Sequence, residues 1–252
     1  SIFRGMGDSK SPMYFIAVAC AANIGLDYLF IGLLGLDAAG AALGTTIAQA
    51  ISVVVSMVVI LKRKSGIRLE KSDFRPKRMT MKNILKVGIP VCLQDGFIQV
   101  SFVVITIFAN QRGLTDAAAV GIVEKIISIL FLVPSSMMST ISALVAQNIG
   151  AGKHDRAKLT LKYVLMITVT YGLIMTIIIQ FVSVPLVGLF TNDGAVAVSG
   201  AGYLRSYASD CIFAGIHFCL SGYFYAYGLS VISFIHNSIS IVCARIPLSY
   251  YA

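Results

Sequence analysis

Residues 160–186 read TLKYVLMITVTYGLIMTIIIQFVSVPL, and no charged side chain occurs in the 24 positions after Lys162. An α-helix needs about 20 mainly apolar residues to cross a bilayer. A strand of a membrane barrel would instead show segments of about ten alternating residues, and none is present here. Six further runs of the same kind lie at roughly 12–34, 40–61, 84–109, 117–145, 201–225 and 231–252. In lipid every backbone amide must be satisfied within its own segment, so all seven runs are expected to be helices.

The rest of the chain agrees with this reading. Of 252 residues, 57% are apolar and only 12% charged, with a mean hydropathy of +0.85. Soluble domains carry about 25% charged residues, so a soluble enzyme and a disordered chain are both excluded. The net charge of +9 does not describe a nucleic-acid surface, because the basic residues are confined to short loops between apolar runs. Segment 62–86 holds ten of them, Lys153, Arg156, Lys158 and Lys162 form a second group, and Arg4 and Lys10 precede the first run. With seven helices these groups fall on one side. The opposite loops carry Asp37, Asp116 and Asp193, with Arg112 as their one basic residue. The basic side is therefore expected to be cytoplasmic.

All five cysteines lie in apolar runs. Cys211, His217 and Cys219 share one run, but small apolar helix residues explain them better than a metal site. Gly150 and Gly152 follow no strand and lack a Gly-Lys-Ser/Thr sequence, so nucleotide binding is rejected. The opening Ser1 and the closing Ala252, inside an apolar run, make the chain read as a fragment.

An internal repeat organises the runs. Ile24, Leu26 and Tyr28 recur as Ile246, Leu248 and Tyr250 at an offset of 222 residues. Each copy follows a Gly-containing turn, Gly5 to Ser9 in one and Tyr225 to Ser230 in the other. The copies are six helices apart, which implies parallel six-helix repeats, an architecture common in transporters.

Four motifs carry a family resemblance. Arg4-Gly5-Met6-Gly7-Asp8-Ser9-Lys10-Ser11-Pro12 resembles the RGxGD(T/S)KxP turn of the multidrug and toxic compound extrusion (MATE) family. Gln147 to Gly152, followed by Arg156-Ala157, resembles its QNxGAGxxxRA signature. Gly88-Ile89-Pro90 is similar to its GxP in the seventh helix, and Arg245-Ile246-Pro247-Leu248 to its RIPL in the eleventh. The resemblance implies an all-α, polytopic two-lobe helix bundle, here covering roughly helices five to eleven of twelve. Residues 1–61 would supply two helices of the first lobe, 62–83 the cytoplasmic linker, and 84–252 five helices of the second lobe. Two departures stand out. The second-lobe turn lacks its usual Arg or Asn and Lys. Ile98 also occupies the place where some members carry a Glu, about eight residues after Pro90.

An ionisable group inside the bilayer is a functional hypothesis by default. Asp210, about 15 Å from the outer end of its helix, and Glu124, about 11 Å from its own, are the candidates for coupling to a cation. Gln94, Asp95 and Gln99 are expected on one face lining a cavity, with Phe131 and Met137 either beside them or in plain packing. Asp27, Arg245, Pro90, Pro247, Gly150 and Gly152 are expected to be structural or gating. His217 is read as hydrogen-bonded filler. The expected function is secondary export of organic cations, drugs or other amphipathic compounds in exchange for protons or sodium ions. The alternative is a lipid-linked precursor flippase of the same broad superfamily. No enzyme constellation, metal or cofactor is expected beyond the coupling ion. The expected partners are membrane lipid and a small amphipathic substrate, with no nucleic acid. The expected state is a monomer in a bacterial cytoplasmic membrane.

Overall fold

The structure is a computed structural model that describes Phe3, Gly7, Asp8 and residues 10–62 and 77–245, the side chains of 61, 62, 244 and 245 excepted. Pro247, most of the opening motif and most of the basic linker lie outside the described residues. Arg245 is described only as the last residue of its helix. The chain divides into two compact units, Ser1–Pro76 and Lys77–Ala252.

The first unit is a helical hairpin. Helix α1 spans Lys10–Asp27 and continues into a wider π turn over Tyr28–Leu33; α2 spans Asp37–Lys62. Asp8 starts α1: its Oδ1 accepts from the amides of Lys10 and Ser11, each at 3.1 Å, and its Oδ2 from the Ser11 hydroxyl at 2.6 Å. Those are the amides a helix start leaves without partners, which explains the Asp in the opening motif. Gly35, at φ +62°, turns the chain back. Small residues on α2 then let the helices approach, in the manner of membrane helix pairs. Ala48 is 2% exposed, and a Cβ on Gly40 would stand 3.1 Å from Phe30.

The second unit begins with α3 (Arg78–Arg112), α4 (Leu114–Leu130), α5 (Leu132–Gly150) and α6 (His154–Gly188). It continues with α7 (Gly194–Ala208), α8 (Asp210–Ala226) and α9 (Ser230–Ser240), the last widening into a π turn over Ile241–Arg245. Helix α8 packs on α5 and α6, α7 on α4 and α6, and α9 on α3 and α8. One core joins Val123, Ile126 and Ile127 to Ile179, Val187, Leu204 and Ala208; another joins Ile141 and Val145 to Ala157, Val164 and Cys219. Large apolar side chains elsewhere face outward, Phe181 at 80% exposure among them, as a lipid-facing surface requires.

The apolar runs reappear, the last of them as far as Arg245, with three differences. Run 117–145 is two helices meeting at Phe131, and run 201–225 is two helices meeting at Ser209 that begin as early as Gly194. Helix α3 also starts earlier than expected, at Arg78, because residues 78–87 contain no Gly or Pro to stop it. Five helical stretches are long and apolar enough to span a bilayer, and the described residues form a multi-pass membrane protein.

Candidate functional site

In the first unit the structure gathers polar groups around Asp27. Asn23 lies one turn earlier on α1, and its Nδ2 donates to Asp27 Oδ1 at 3.3 Å. The same Nδ2 stands 3.5 Å from Thr45 Oγ1 on α2. Thr45 commits its proton to the Ala41 carbonyl at 3.0 Å, so its lone pairs remain for a neighbour. Gly44 lies against the carboxylate, and a Cβ there would collide with Asp27 Oδ1. Asp27 is half-buried at the point where α1 widens into the π turn, a distortion often found at functional sites. The site thus offers a carboxylate, an amide oxygen and a hydroxyl within a membrane span. These hard oxygen donors can hold a proton or a small cation. Asn23 and Thr45 were missed by the sequence reading. The signal for Asn23 was present, since two polar residues four apart in an apolar helix share a face.

In the second unit the polar groups form a ladder across α3, α8 and α9. Pro90 lies inside α3, which continues through it. Proline has no N–H, so the Lys86 carbonyl four residues earlier loses its helical donor. The Ser230 hydroxyl of α9 lies 3.4 Å from that carbonyl. Farther along, Ser233 of α9 contacts Gln94 Oε1 at 3.1 Å and Ser221 Oγ of α8 at 2.7 Å. Ser221 Oγ lies 3.5 Å from His217 Nε2, and the His217 ring stacks on His236 with centroids 5.3 Å apart. The Tyr225 hydroxyl approaches Gln94 and Ser233, with Asp95 nearby.

This corrects the expected common face of α3. Gln94 is 3% exposed and faces α9, whereas Asp95 and Gln99 are exposed. At 100° per residue Asp95 and Gln99 are 40° apart and Gln94 is 140° from Gln99, so only the latter two share a face.

The other candidates surround the two helix breaks. Pro134 removes the amide that would bond the Leu130 carbonyl, and the Tyr171 hydroxyl of α6 donates to that carbonyl at 3.1 Å. At the second break the Ala208 carbonyl lies 2.9 Å from the Thr176 hydroxyl, which it shares with the Gly172 carbonyl at 2.8 Å, and the Arg205 carbonyl accepts from Gln180 at 3.3 Å. Helix α6 thereby satisfies backbone groups that the breaks expose, the condition for irregular backbone at membrane depth. Phe131 sits between them, 6.1 Å from both Tyr207 and Phe218. Asp210 is exposed on the first turn of α8, two residues past buried Ala208, and half-buried Glu124 follows buried Val123 on α4. Val123 and Ala208 belong to one core. Met137 packs against the other core, beside Ile141.

Gly152 has a defined structural role. It stands at φ +70° after α5, and the amides of Gly152 and Lys153 bond the Ile149 and Asn148 carbonyls at 2.9 and 2.8 Å. This pattern closes a helix C-terminus with a left-handed glycine. Gly150 is an ordinary helical residue with open space where a Cβ would lie. Gly228 repeats the arrangement after α8, at φ +71°, the amides of Gly228 and Leu229 donating to the Tyr225 and Phe224 carbonyls. The turn that lacks the usual basic residues is therefore closed by its glycine. His154 and Tyr227 join the two turns, with Nδ1 and the hydroxyl 3.3 Å apart.

Comparison with known proteins places this geometry. The MatE family profile matches residues 90–251. The multidrug resistance protein YpnP of Bacillus subtilis, designated probable, is 28% identical over 99% of this chain and 56% of its own length. The multidrug export protein MepA of Staphylococcus saprophyticus is 26% identical over 89% of this chain and 50% of its own. An outward-facing multidrug resistance MATE transporter of the MOP superfamily superposes with a TM-score of 0.89 at 21% identity, covering 99% of this chain and 56% of that one. The chain spans about half the length of the curated relatives it matches. The chain belongs to the MatE family, the multidrug and toxic compound extrusion transporters.

Proposed function

We propose that the protein is a secondary active exporter of organic cations and other amphipathic compounds, driven by inward movement of protons or sodium ions through alternating access. One observation carries the coupling step: Asp27, a carboxylate within a membrane span, sits with Asn23 and Thr45 over the bare backbone of Gly44. An intramembrane carboxylate is costly unless it is neutralised, so its occupancy by an ion biases which arrangement of its helices is stable. This reading moves Asp27 from a structural role to the coupling site. Asp210 and Glu124 remain as carboxylates that a second ion would use in the second unit. Membership in a transporter family supports export over enzymatic chemistry. The protein would reside as a monomer in the cytoplasmic membrane, with the basic linker inside.

The test is ethidium efflux from energised cells expressing the full-length protein, beside Asp27→Asn and Asp210→Asn at matched expression. The proton and sodium gradients are collapsed in turn. Efflux that needs one gradient and is lost in Asp27→Asn supports the proposal. Gradient-dependent efflux that survives in Asp27→Asn refutes the assignment of the site. Wild-type protein that moves no dye counts against drug export.

A further inference from the structure

The ladder across α3, α8 and α9 has a property that follows from counting protons. Ser233 Oγ lies within hydrogen-bond distance of Gln94 Oε1 and of Ser221 Oγ. A hydroxyl carries one proton and two lone pairs, and an amide oxygen can only accept. Ser233 therefore donates to one partner at a time, and the Tyr225 hydroxyl is a third within reach. Ser221 is under the same constraint, between Ser233 and His217 Nε2.

Two arrangements are open to the chain, and they run in opposite directions. When His217 Nε2 carries a proton, it donates to Ser221, Ser221 to Ser233, and Ser233 to Gln94. When Nε2 is bare, Ser221 donates to the ring and Ser233 to Ser221, and Gln94 Oε1 loses its donor from Ser233. A charged imidazolium has protons on both nitrogens, so it enforces the first direction; the second exists only for a neutral ring with its proton on Nδ1. Ser221 and Ser233 are each 2% exposed and Gln94 3%, so water cannot readily substitute for a missing partner, and a donor or acceptor left unmade there is costly.

The histidine stack limits the charge. Two imidazolium rings with centroids 5.3 Å apart and planes 19° from parallel would repel in a medium of low dielectric, so the pair accepts one proton. His236 is the titratable group stacked on His217. From α3, Asp95 faces the far end of the chain beside Tyr225. On the other side of α8 the neighbours from α5 and α6 are uncharged: Met138 and Ile141 at Gly222, and Thr168 at Gly215 and Cys219. His236 is exposed and lies six residues into α9.

We infer that His217 and His236 form a one-proton site within the second unit, and that the Ser221–Ser233–Gln94 chain reports its occupancy to α3 by reversing direction. Its use as a coupling or regulatory site rests on the export reading above; the site itself does not.

The experiment uses full-length protein in lipid nanodiscs, with 15N in histidine rings and glutamine side-chain amides, titrated between pH 5 and 8. Signals are assigned by His217→Gln, His236→Gln and Gln94→Ala. The expected result is that both rings titrate together and that the Gln94 amide shifts in step with them. Ser221→Ala should abolish the Gln94 response while His217 continues to titrate. His236→Phe retains a stacked ring and should change the midpoint of His217, which keeps the test open if His236→Gln unfolds. Rings that titrate independently, or a Gln94 signal that ignores them, overturn the inference. Ethidium transport is measured in the same preparation. Coupled titration without transport supports the site and counts against export alone; transport without coupled titration does the reverse.

Discussion

Gly44→Ala puts the proposed coupling site under a steric test that leaves every charge in place. The added methyl lands on Asp27 Oδ1, while Asp27 Cγ and the Asp27 backbone nitrogen, both 3.5 Å away, are at ordinary contact distance. Helix α2 cannot yield easily, because Ala48 on the same side is sealed at 2% exposure. The carboxylate must therefore swing by about 1 Å to restore van der Waals contact. The Asn23–Asp27 hydrogen bond, 3.3 Å long, does not survive that movement. A hydrogen bond donated to a carboxylate stabilises its charged, ion-free form by about 1.5–3 kcal/mol, so with protons as the driving ion the concentration for half-maximal transport should fall by roughly 10- to 150-fold. Stability should change little, because Gly→Ala within a helix contributes about 1 kcal/mol in the opposite direction. The assay is ethidium transport by full-length protein in proteoliposomes, with sodium and proton concentrations varied separately. Gly25→Ala on α1, where a Cβ meets nothing within 4 Å, is the control. If Gly44→Ala melts normally and its ion dependence matches wild type and the control, Asp27 is not an ion ligand and the reasoning fails.

Other substitutions test the packing around the second-unit groups. Gly222→Ala brings a Cβ to 2.6 Å from the Met138 carbonyl oxygen and should cost about 1–3 kcal/mol by overpacking. Gly202→Ala, with open space, should be neutral or stabilising, and thermal melts in detergent compare the two. Tyr171→Phe removes the donor to the Leu130 carbonyl and should lower stability by about 1–3 kcal/mol, read as faster amide exchange around Phe131. Gly152→Ala forces an alanine to φ +70° and should cost about 1–2 kcal/mol, whereas Gly150→Ala should not; the same melts decide. Ser230→Ala leaves the Lys86 carbonyl without its side-chain neighbour, and amide exchange near Pro90 should accelerate.

Much of this organisation was legible from composition and punctuation. The seven apolar runs needed only length and hydropathy. Pro90 and Gly152 read as structural positions, and Tyr225 to Ser230 as a Gly-containing turn, because proline and glycine act locally on the backbone. The two breaks were less legible. Pro134 sits in a run that reads as one continuous span, and Ser209 carries no breaker residue at all. At the break, Thr176 and Gln180 of α6 stand at the Ala208 and Arg205 carbonyls, Thr176 shared with the Gly172 carbonyl, and nothing within 201–225 encodes that.

The sites were the hardest part to read, and for one physical reason. A soluble helix shows which way it faces by its apolar stripe. A membrane helix is apolar all round, so periodicity does not specify its rotation. Close approach of small residues and a few interhelical hydrogen bonds specify it instead. Sequence alone therefore determined that this protein is a bundle of spanning helices with carboxylates in its spans. Tertiary structure decided that Asp27 meets Asn23 and Thr45, that Gln94 turns away from Asp95 toward Ser233, and that His217 stacks on His236. Each of those pairings depends on how far one helix is rotated against its neighbour, and that rotation is written in the contact between helices and in neither helix alone.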